Sequence, residues 1–470
     1  MQYISTRGEA PKLGFEEVLL TGLARDGGLY MPATWPDVAS ASRDFAGKPF
    51  AEVAVALLEP FVAGALSRAD LIVLARDAYA RFGHPAVTPL HQIDRGLWVL
   101  ELFHGPTLAF KDLAMQLLAR LMDRVLAARS ARVTVLAATS GDTGGAAIEA
   151  FRGSKRVNAV VLFPQGRISQ VQRRMMTTAA EANVNALAIE GTFDDCQALV
   201  KAMFNDLAFR DRLQLAAVNS INWARIVAQL TYYFVAAAAL GGPARRVAFS
   251  VPTGNFGDVF AGYAAKAMGL AAERLIIATN ENDILQRAWS TGIYALADVV
   301  ATSSPSMDIQ VSSNFERFLF EAANRDAAFV RGKMHGLQQS RSIGLGEASV
   351  PYREAFIAER VDQAAVGECI RRVKAESGYL LDPHSACAVV AARRTQTTQS
   401  QSVAHIALAT AHPAKFPDAI EAIVGQRPAL PTRLASLQTD PERLTTLPND
   451  LGLVQRFVER CVDAAWGPGR

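Results

Sequence analysis

From about Arg132 onward the chain repeats one pattern, and that pattern limits its possible folds more than any other feature. Apolar runs of strand length recur: VTVLAAT (133–139), VNAVVLF (157–163), VNALAIE (184–190), LQLAAVN (213–219), VAFSVP (247–252), LIIAT (275–279) and VAHIALAT (403–410). Between most of them lie stretches with apolar residues at helical spacing, such as 196–207 and 223–240. Continuous apolar strands, each followed by a helix, specify an α/β fold with parallel sheets covered on both faces. Most of the runs lead into Thr, Ser, Asn or Gly, residues of turns and helix caps. Ligands of open α/β sheets bind at those carboxyl ends, so the chemistry is sought there.

The 470 residues can form two to four structural units at about 100–200 residues each. Residues 1–90 read as an N-terminal helical unit broken by Gly27-Gly28, Met31-Pro32 and Trp35-Pro36. Residues 91–425 carry the α/β core, expected as two subdomains, and 426–470 read as a helical extension with Pro-marked turns. Within the core, 285–349 looks like an irregular excursion and TQTTQSQS (395–402) like a polar loop. A net charge of +3, without a long basic block, gives no reason to expect nucleic acid. The longest apolar stretches, such as IVAQLTYYFVAAAAL (226–240), are too short for a membrane span. The N-terminus lacks the apolar core of a signal peptide, and four cysteines without CxxC spacing suit a reducing compartment. A cytoplasmic protein is expected, with no metal and no obligate protein partner.

Four loops carry candidate chemistry. In ELFHGPTLAFKDLA (101–114), Lys111 is either a surface residue of a first helical turn or a nucleophile. An apolar setting that strips water from the amine would favour the second role. ATSGDTGGAA (138–147) follows a strand and opens a helix. It is either a plain turn with Asp142 or Thr143 as N-cap, or an anion cradle of helix N–H groups. VPTGNFGDVFAGY (251–263) repeats that layout, and Gly254 and Gly257 around Asn255-Phe256 could form a nest of donors for a phosphate. Asp258 in a structural first turn is the competing view. The fourth is the pair NSINWARI (219–226) and LATAHPAKFP (408–417). There Arg225, with Asn219 and Ser220, could fork onto a phosphate or a carboxylate, or could be a solvated helix residue. No GxGxxG or GxxxxGK[ST] fingerprint supports a nucleotide fold.

Taken together, HGPTLAFKD, ATSGDTGG, PTGNFGD and LATAHPAKF, in this order, closely resemble the threonine synthases. These are pyridoxal-phosphate enzymes of fold type II, built like the tryptophan synthase β subunit. The segment 5–32 (STRG…YMP) also resembles the start of the longer threonine synthases, and the likeness extends over about 3–418. It implies that Lys111 carries pyridoxal 5′-phosphate and that Gly254, Asn255, Phe256, Gly257 and Asp258 hold the cofactor phosphate. It further implies that Thr410 lies near the pyridine nitrogen and that Thr139, Ser140, Gly141, Asp142 and Thr143 receive the substrate α-carboxylate. Asn219, Ser220 and Arg225 match the substrate-phosphate segment. One departure stands out. Many relatives carry Asn, touching the cofactor 3′-oxygen, where this chain has Asp142; an ionised Asp would repel an oxyanion there, so the role of Asp142 is open.

The reaction that the resemblance implies turns O-phospho-L-homoserine and water into L-threonine and phosphate, by γ-elimination and β-addition. Two other readings remain. One is a pyridoxal-phosphate phospho-lyase or dehydratase on the same scaffold, which would give 2-oxobutyrate and ammonia. The other is a non-catalytic, threonine-synthase-like protein that binds a small phosphorylated ligand.

Overall fold

The computed structural model describes residues 1–396 and 403–467, so most of the polar stretch 395–402 lies outside the described residues. Near the N-terminus, β1 (Tyr3–Ser5) and β2 (Tyr30–Pro32) pair antiparallel. A six-stranded sheet is built from β3 (Leu90–Asp94), β4 (Leu97–Glu101), β9 (Val247–Pro252), β10 (Ala272–Thr279), β13 (Phe356–Arg360) and β14 (Ala404–Ala409). Its order is β13-β10-β9-β14-β4-β3, parallel throughout except for the antiparallel edge strand β3. A second, all-parallel sheet holds β5 (Val133–Ala138), β6 (Val157–Pro164), β7 (Val184–Glu190), β8 (Leu215–Ala216) and β15 (Thr445–Pro448), in the order β15-β7-β6-β5-β8. The strands β11 (Ile293–Ala295) and β12 (Ser342–Gly344) form a small antiparallel pair.

The apolar runs become strands because both of their faces are covered. Every residue of β6 is buried, as expected of a central parallel strand between helical layers. The stretches read as helical form the helices Phe193–Asn205 and Trp223–Ala239. Asn222 starts the latter by accepting a hydrogen bond from the Ala224 N–H, and the helix then packs against Phe50–Val62, Lys111–Ala128 and Gly257–Ala267.

Strand order decides which loops become neighbours. Because β9, β14 and β4 lie side by side, the segments after them (from 253, 410 and 102) emerge together. In the second sheet β5 lies between β6 and β8, where the strand order reverses, so the loops starting at Thr139 and Ala217 flank the switch point.

Four sequence expectations change. The N-terminal unit is not purely helical, since β1 and β2 pair within it. The run 213–219 contributes only the two-residue β8; Leu213 ends the helix Leu207–Leu213, and Gln214, at φ 50°, turns the chain left-handed before the strand. The excursion 285–349 is ordered, with the helices Phe315–Ala322, Ala327–Ser340 and Ser349–Ala355 beside β11 and β12. Beyond residue 425 the chain supplies β15 to the edge of the second sheet before the helix Leu451–Trp466.

That last helix buries Phe457 and Val458 against Leu136, Val160 and Leu162. Phe457→Ala should therefore lower unfolding stability by about 3 kcal/mol. Guanidinium unfolding followed by circular dichroism reads this directly, and an unchanged midpoint would mean that the helix is not part of the core.

Candidate active site

Lys111 begins the helix Lys111–Ala128, and the loop before it is pinned from three sides. The Thr107 N–H and hydroxyl each donate to the Asp112 carboxylate at 2.7 Å. Burial pushes the Asp112 carboxyl up to about 6, against the pull of those two bonds. Phe110 N donates to the Thr410 carbonyl at 2.8 Å, which sets Thr410 beside Lys111. Lys415 Nζ donates to the Thr107 carbonyl at 2.8 Å.

Asp142 is the meeting point. Its Oδ1 accepts from Lys415 Nζ at 2.7 Å and from Gln172 Nε2 at 3.0 Å. Its Oδ2 accepts from Lys111 Nζ at 3.4 Å and from Ser306 Oγ at 3.2 Å. Burial alone would raise this carboxyl, but Lys415 and Lys111 override it and hold it well below the usual carboxylate range. Burial lowers the Lys111 amine; Asp142 pulls it back up, while Lys415 and Arg225 push it down, and the net direction is down. The expectation of Asp142 or Thr143 as N-cap is corrected: Gly141 is the cap residue, at φ 126°. Thr139 Oγ1 accepts from the N–H groups of Gly141 and Gly144 at 3.0 and 2.9 Å. Ser140 and Thr143 are half-buried around that turn.

The glycine loop is oriented by the excursion. Ser312 Oγ donates to the Gly254 carbonyl at 2.6 Å, and Asn314 donates to the Asn255 carbonyl from both its N–H and its side chain, each at 3.0 Å. In a trans peptide the N–H points opposite to the carbonyl, so the N–H groups of Asn255 and Phe256 face away from these clamps. Those of Gly257 and Asp258 follow in the first turn of the helix Gly257–Ala267, where no helical acceptor exists. The Phe256 ring is buried against Phe315, Phe318 and Phe356. The Asp258 carboxylate points inward, accepting from the Tyr232 and Tyr233 hydroxyls, so only its backbone serves the loop. Burial pushes that carboxyl up to about 6.

Asn314 also donates to Ser220 Oγ at 3.2 Å, which brings the 219–222 loop against Gly257. Arg225 is not a solvated helix residue; it is 2% exposed. Nη1 donates to the Val218 carbonyl at 3.1 Å, Nε has no partner, and no carboxylate pairs with it among the described residues. Burial brings its guanidinium down to about 10. The buried Asn219 Oδ1 is likewise unpaired.

Sequence reasoning missed Lys415, Gln172, Ser306, Ser312 and Asn314. Lys415 lies inside the quoted LATAHPAKF motif, so a signal was present; the serines and Asn314 belong to the excursion and Gln172 to the helix Gln170–Thr177, none with a motif to mark it.

Family models match three consecutive regions. "Threonine synthase N terminus" covers 2–79, "Pyridoxal-phosphate dependent enzyme" covers 82–408 and "Threonine synthase, C-terminal" covers 385–458. The chain belongs to the threonine synthase family. It is 51% identical to the threonine synthase of Pseudomonas aeruginosa over 467 residues, covering 98% of each chain. The pyridoxal-phosphate-bound threonine synthase structure from Brucella melitensis superposes with a TM-score of 0.95 at 55% identity, over 98% of this chain and 99% of that one. The yeast threonine synthase structure gives 0.93 at 40% identity, over 98% of both. The C-terminal match extends the family likeness beyond residue 418, where the sequence showed no motif. The fold is that of the pyridoxal-phosphate enzymes, and the cofactor is pyridoxal 5′-phosphate. The residues fit it: a largely buried lysine of lowered basicity and a loop whose backbone N–H groups have no helical acceptor.

Gly141 has no room for a side chain, since a Cβ there would lie 2.5 Å from Gln172 Cδ. With φ at 126°, Gly141→Ala should add about 1–3 kcal/mol of strain and displace Gln172 from Asp142. Thermal unfolding should fall accordingly and turnover should drop about tenfold or more. A variant with the parent's melting temperature and rate would show that the turn tolerates the change.

Proposed function

We propose that this chain converts O-phospho-L-homoserine and water to L-threonine and phosphate. The observation that carries the substrate assignment is Arg225, a buried guanidinium without a carboxylate partner. A buried cation left unpaired is costly, and a substrate phosphate would supply its missing counter-charge. The planar fork suits phosphate oxygens, and Asn219 and Ser220 lie in the loop just before it.

Lys111 is assigned as the lysine that holds the cofactor, with Gly254, Asn255, Phe256, Gly257 and Asp258 offering backbone N–H groups to its phosphate. When bound, the cofactor supplies the electron sink for carbanion chemistry. The turn 139–143, with the first-turn N–H groups of Asp142 and Thr143, is assigned to the substrate α-carboxylate. Lys111 Nζ would accept a proton from one substrate carbon and return it at another. Phosphate leaves from the γ carbon and water adds at the β carbon. A neutral Thr410 hydroxyl facing the cofactor's ring nitrogen, in place of a carboxylate, would not favour ring protonation, which would suit elimination over transamination. The substrate is a small molecule. No helix among the described residues is long and apolar enough to cross a membrane. The four buried, unpaired cysteines support a cytoplasmic location.

Truncating one member of a buried charge pair costs about 2–5 kcal/mol. Arg225→Ala should thus lower kcat/KM for phosphohomoserine about 30-fold or more and retain the cofactor's visible absorption. Arg225→Lys should recover part of the loss, because it restores the charge without the fork. Lys111→Ala, the control, should form no threonine. Near-parent kcat/KM in Arg225→Ala would place the substrate phosphate elsewhere.

A further inference from the structure

Two lysines share one carboxylate in this site, and their surroundings are unequal. Lys415 is 1% exposed, and its ammonium has two close acceptors, Asp142 Oδ1 at 2.7 Å and the Thr107 carbonyl at 2.8 Å. Lys111 has one weak contact, Asp142 Oδ2 at 3.4 Å. Two ammonium groups beside one carboxylate repel, and the better-bonded one keeps its proton. Lys415 arrives from the segment after β14 and bonds Oδ1 of Asp142, whereas Lys111 contacts Oδ2, so the two lysines meet through the shared carboxylate and through space.

We propose that Lys415 is a positioning residue for the reaction: as a fixed ammonium on Oδ1 of Asp142, it keeps Lys111 the neutral, proton-accepting amine of the pair. The inference rests on the reading of Lys111 as the cofactor lysine and proton carrier. In the step concerned, the substrate C–H bond breaks, its electron pair stays with the substrate, and the proton bonds to the Lys111 Nζ lone pair; Lys415 neither gains nor loses a proton. Asp142, engaged by Lys415 and Gln172 on one oxygen, is left able to orient Lys111 without holding it permanently as an ammonium.

The other charged groups around this cluster are few. Arg225 and Asp258 act on Lys111 through space, and Asp112 acts on Lys415. His384 is linked to Asp142 through Ser306: its Nδ1 donates to Asp382 Oδ2 at 2.7 Å, while its Nε2 accepts from Ser306 N at 3.2 Å. Ser306 in turn donates to Asp142 Oδ2. None of these touches Lys111 Nζ within hydrogen-bonding distance; beside the burial that lowers its amine, Asp142 and then Lys415 are the charges that act on it most.

Without the Lys415 charge, Asp142 faces Lys111 alone and stabilises its protonated form, so the form competent as a base is reached only at higher pH. In the holoenzyme, Lys415→Met should shift the pH midpoint of the visible absorption and the acid limb of kcat upward together, by about 1–3 pH units. Lys415→Arg should stay near the parent. Asp142→Asn should shift the spectral midpoint downward, because Lys111 then loses its carboxylate and keeps the repulsion. Lys415→Met combined with Asp142→Asn should bring the midpoint back toward the parent, and this pair of Asp142 variants decides the matter if Lys415→Met alone does not fold. A Lys415→Met holoenzyme that is less stable but has an unshifted midpoint would overturn the proposal, as would an unshifted or raised midpoint in Asp142→Asn. A parent protein lacking any borohydride-reducible visible band would instead overturn the assignment of Lys111.

Discussion

A carboxylate buried between two lysine side chains holds this site together. Asp142 comes from the five-stranded sheet, Lys111 and Lys415 come from loops of the six-stranded sheet, and Ser306 comes from the excursion. An unpaired ion in such a place would be expensive, so each partner depends on the others being present. The contact therefore joins the two sheets where their loops meet. Asp142 is accommodated there because Lys415 and Lys111 flank it.

Around this centre the chain spends its buried polar groups on orientation. Asp112 and Lys415 grip opposite ends of Thr107, fixing the turn into Lys111. Ser312 and Asn314 take the carbonyls of the glycine loop and so aim its N–H groups the other way. Thr139 satisfies the start of the helix Asp142–Phe151, leaving neighbouring N–H groups for a ligand. Arg225 is the exception: it is buried without a counter-charge, a cost that a dianionic substrate would offset.

Much of this was visible in the sequence. Central parallel strands such as β6 announce themselves as unbroken apolar runs, and the loops bearing Lys111, Asp142, Gly254 and Thr410 follow such runs or carry their own motifs. The misses have a common physical origin. β8 and β15 are short edge strands, and a two- to four-residue pairing leaves no period to detect. Residues 302–314 look like loop because their order comes from long-range bonds, such as Asn280 to Asp308 at 2.7 Å, and not from local propensity. Lys415 was hidden differently. A lysine after a turn proline reads as solvated, and only the tertiary fold shows it buried against Asp142.

On this account, phosphate leaves with its ester oxygen and water supplies the threonine hydroxyl. Turnover of phosphohomoserine by the holoenzyme in oxygen-labelled water, with products weighed by mass spectrometry, tests it most directly. The label should appear in the threonine hydroxyl and be absent from the phosphate. Label in the phosphate, or 2-oxobutyrate without threonine, would contradict it.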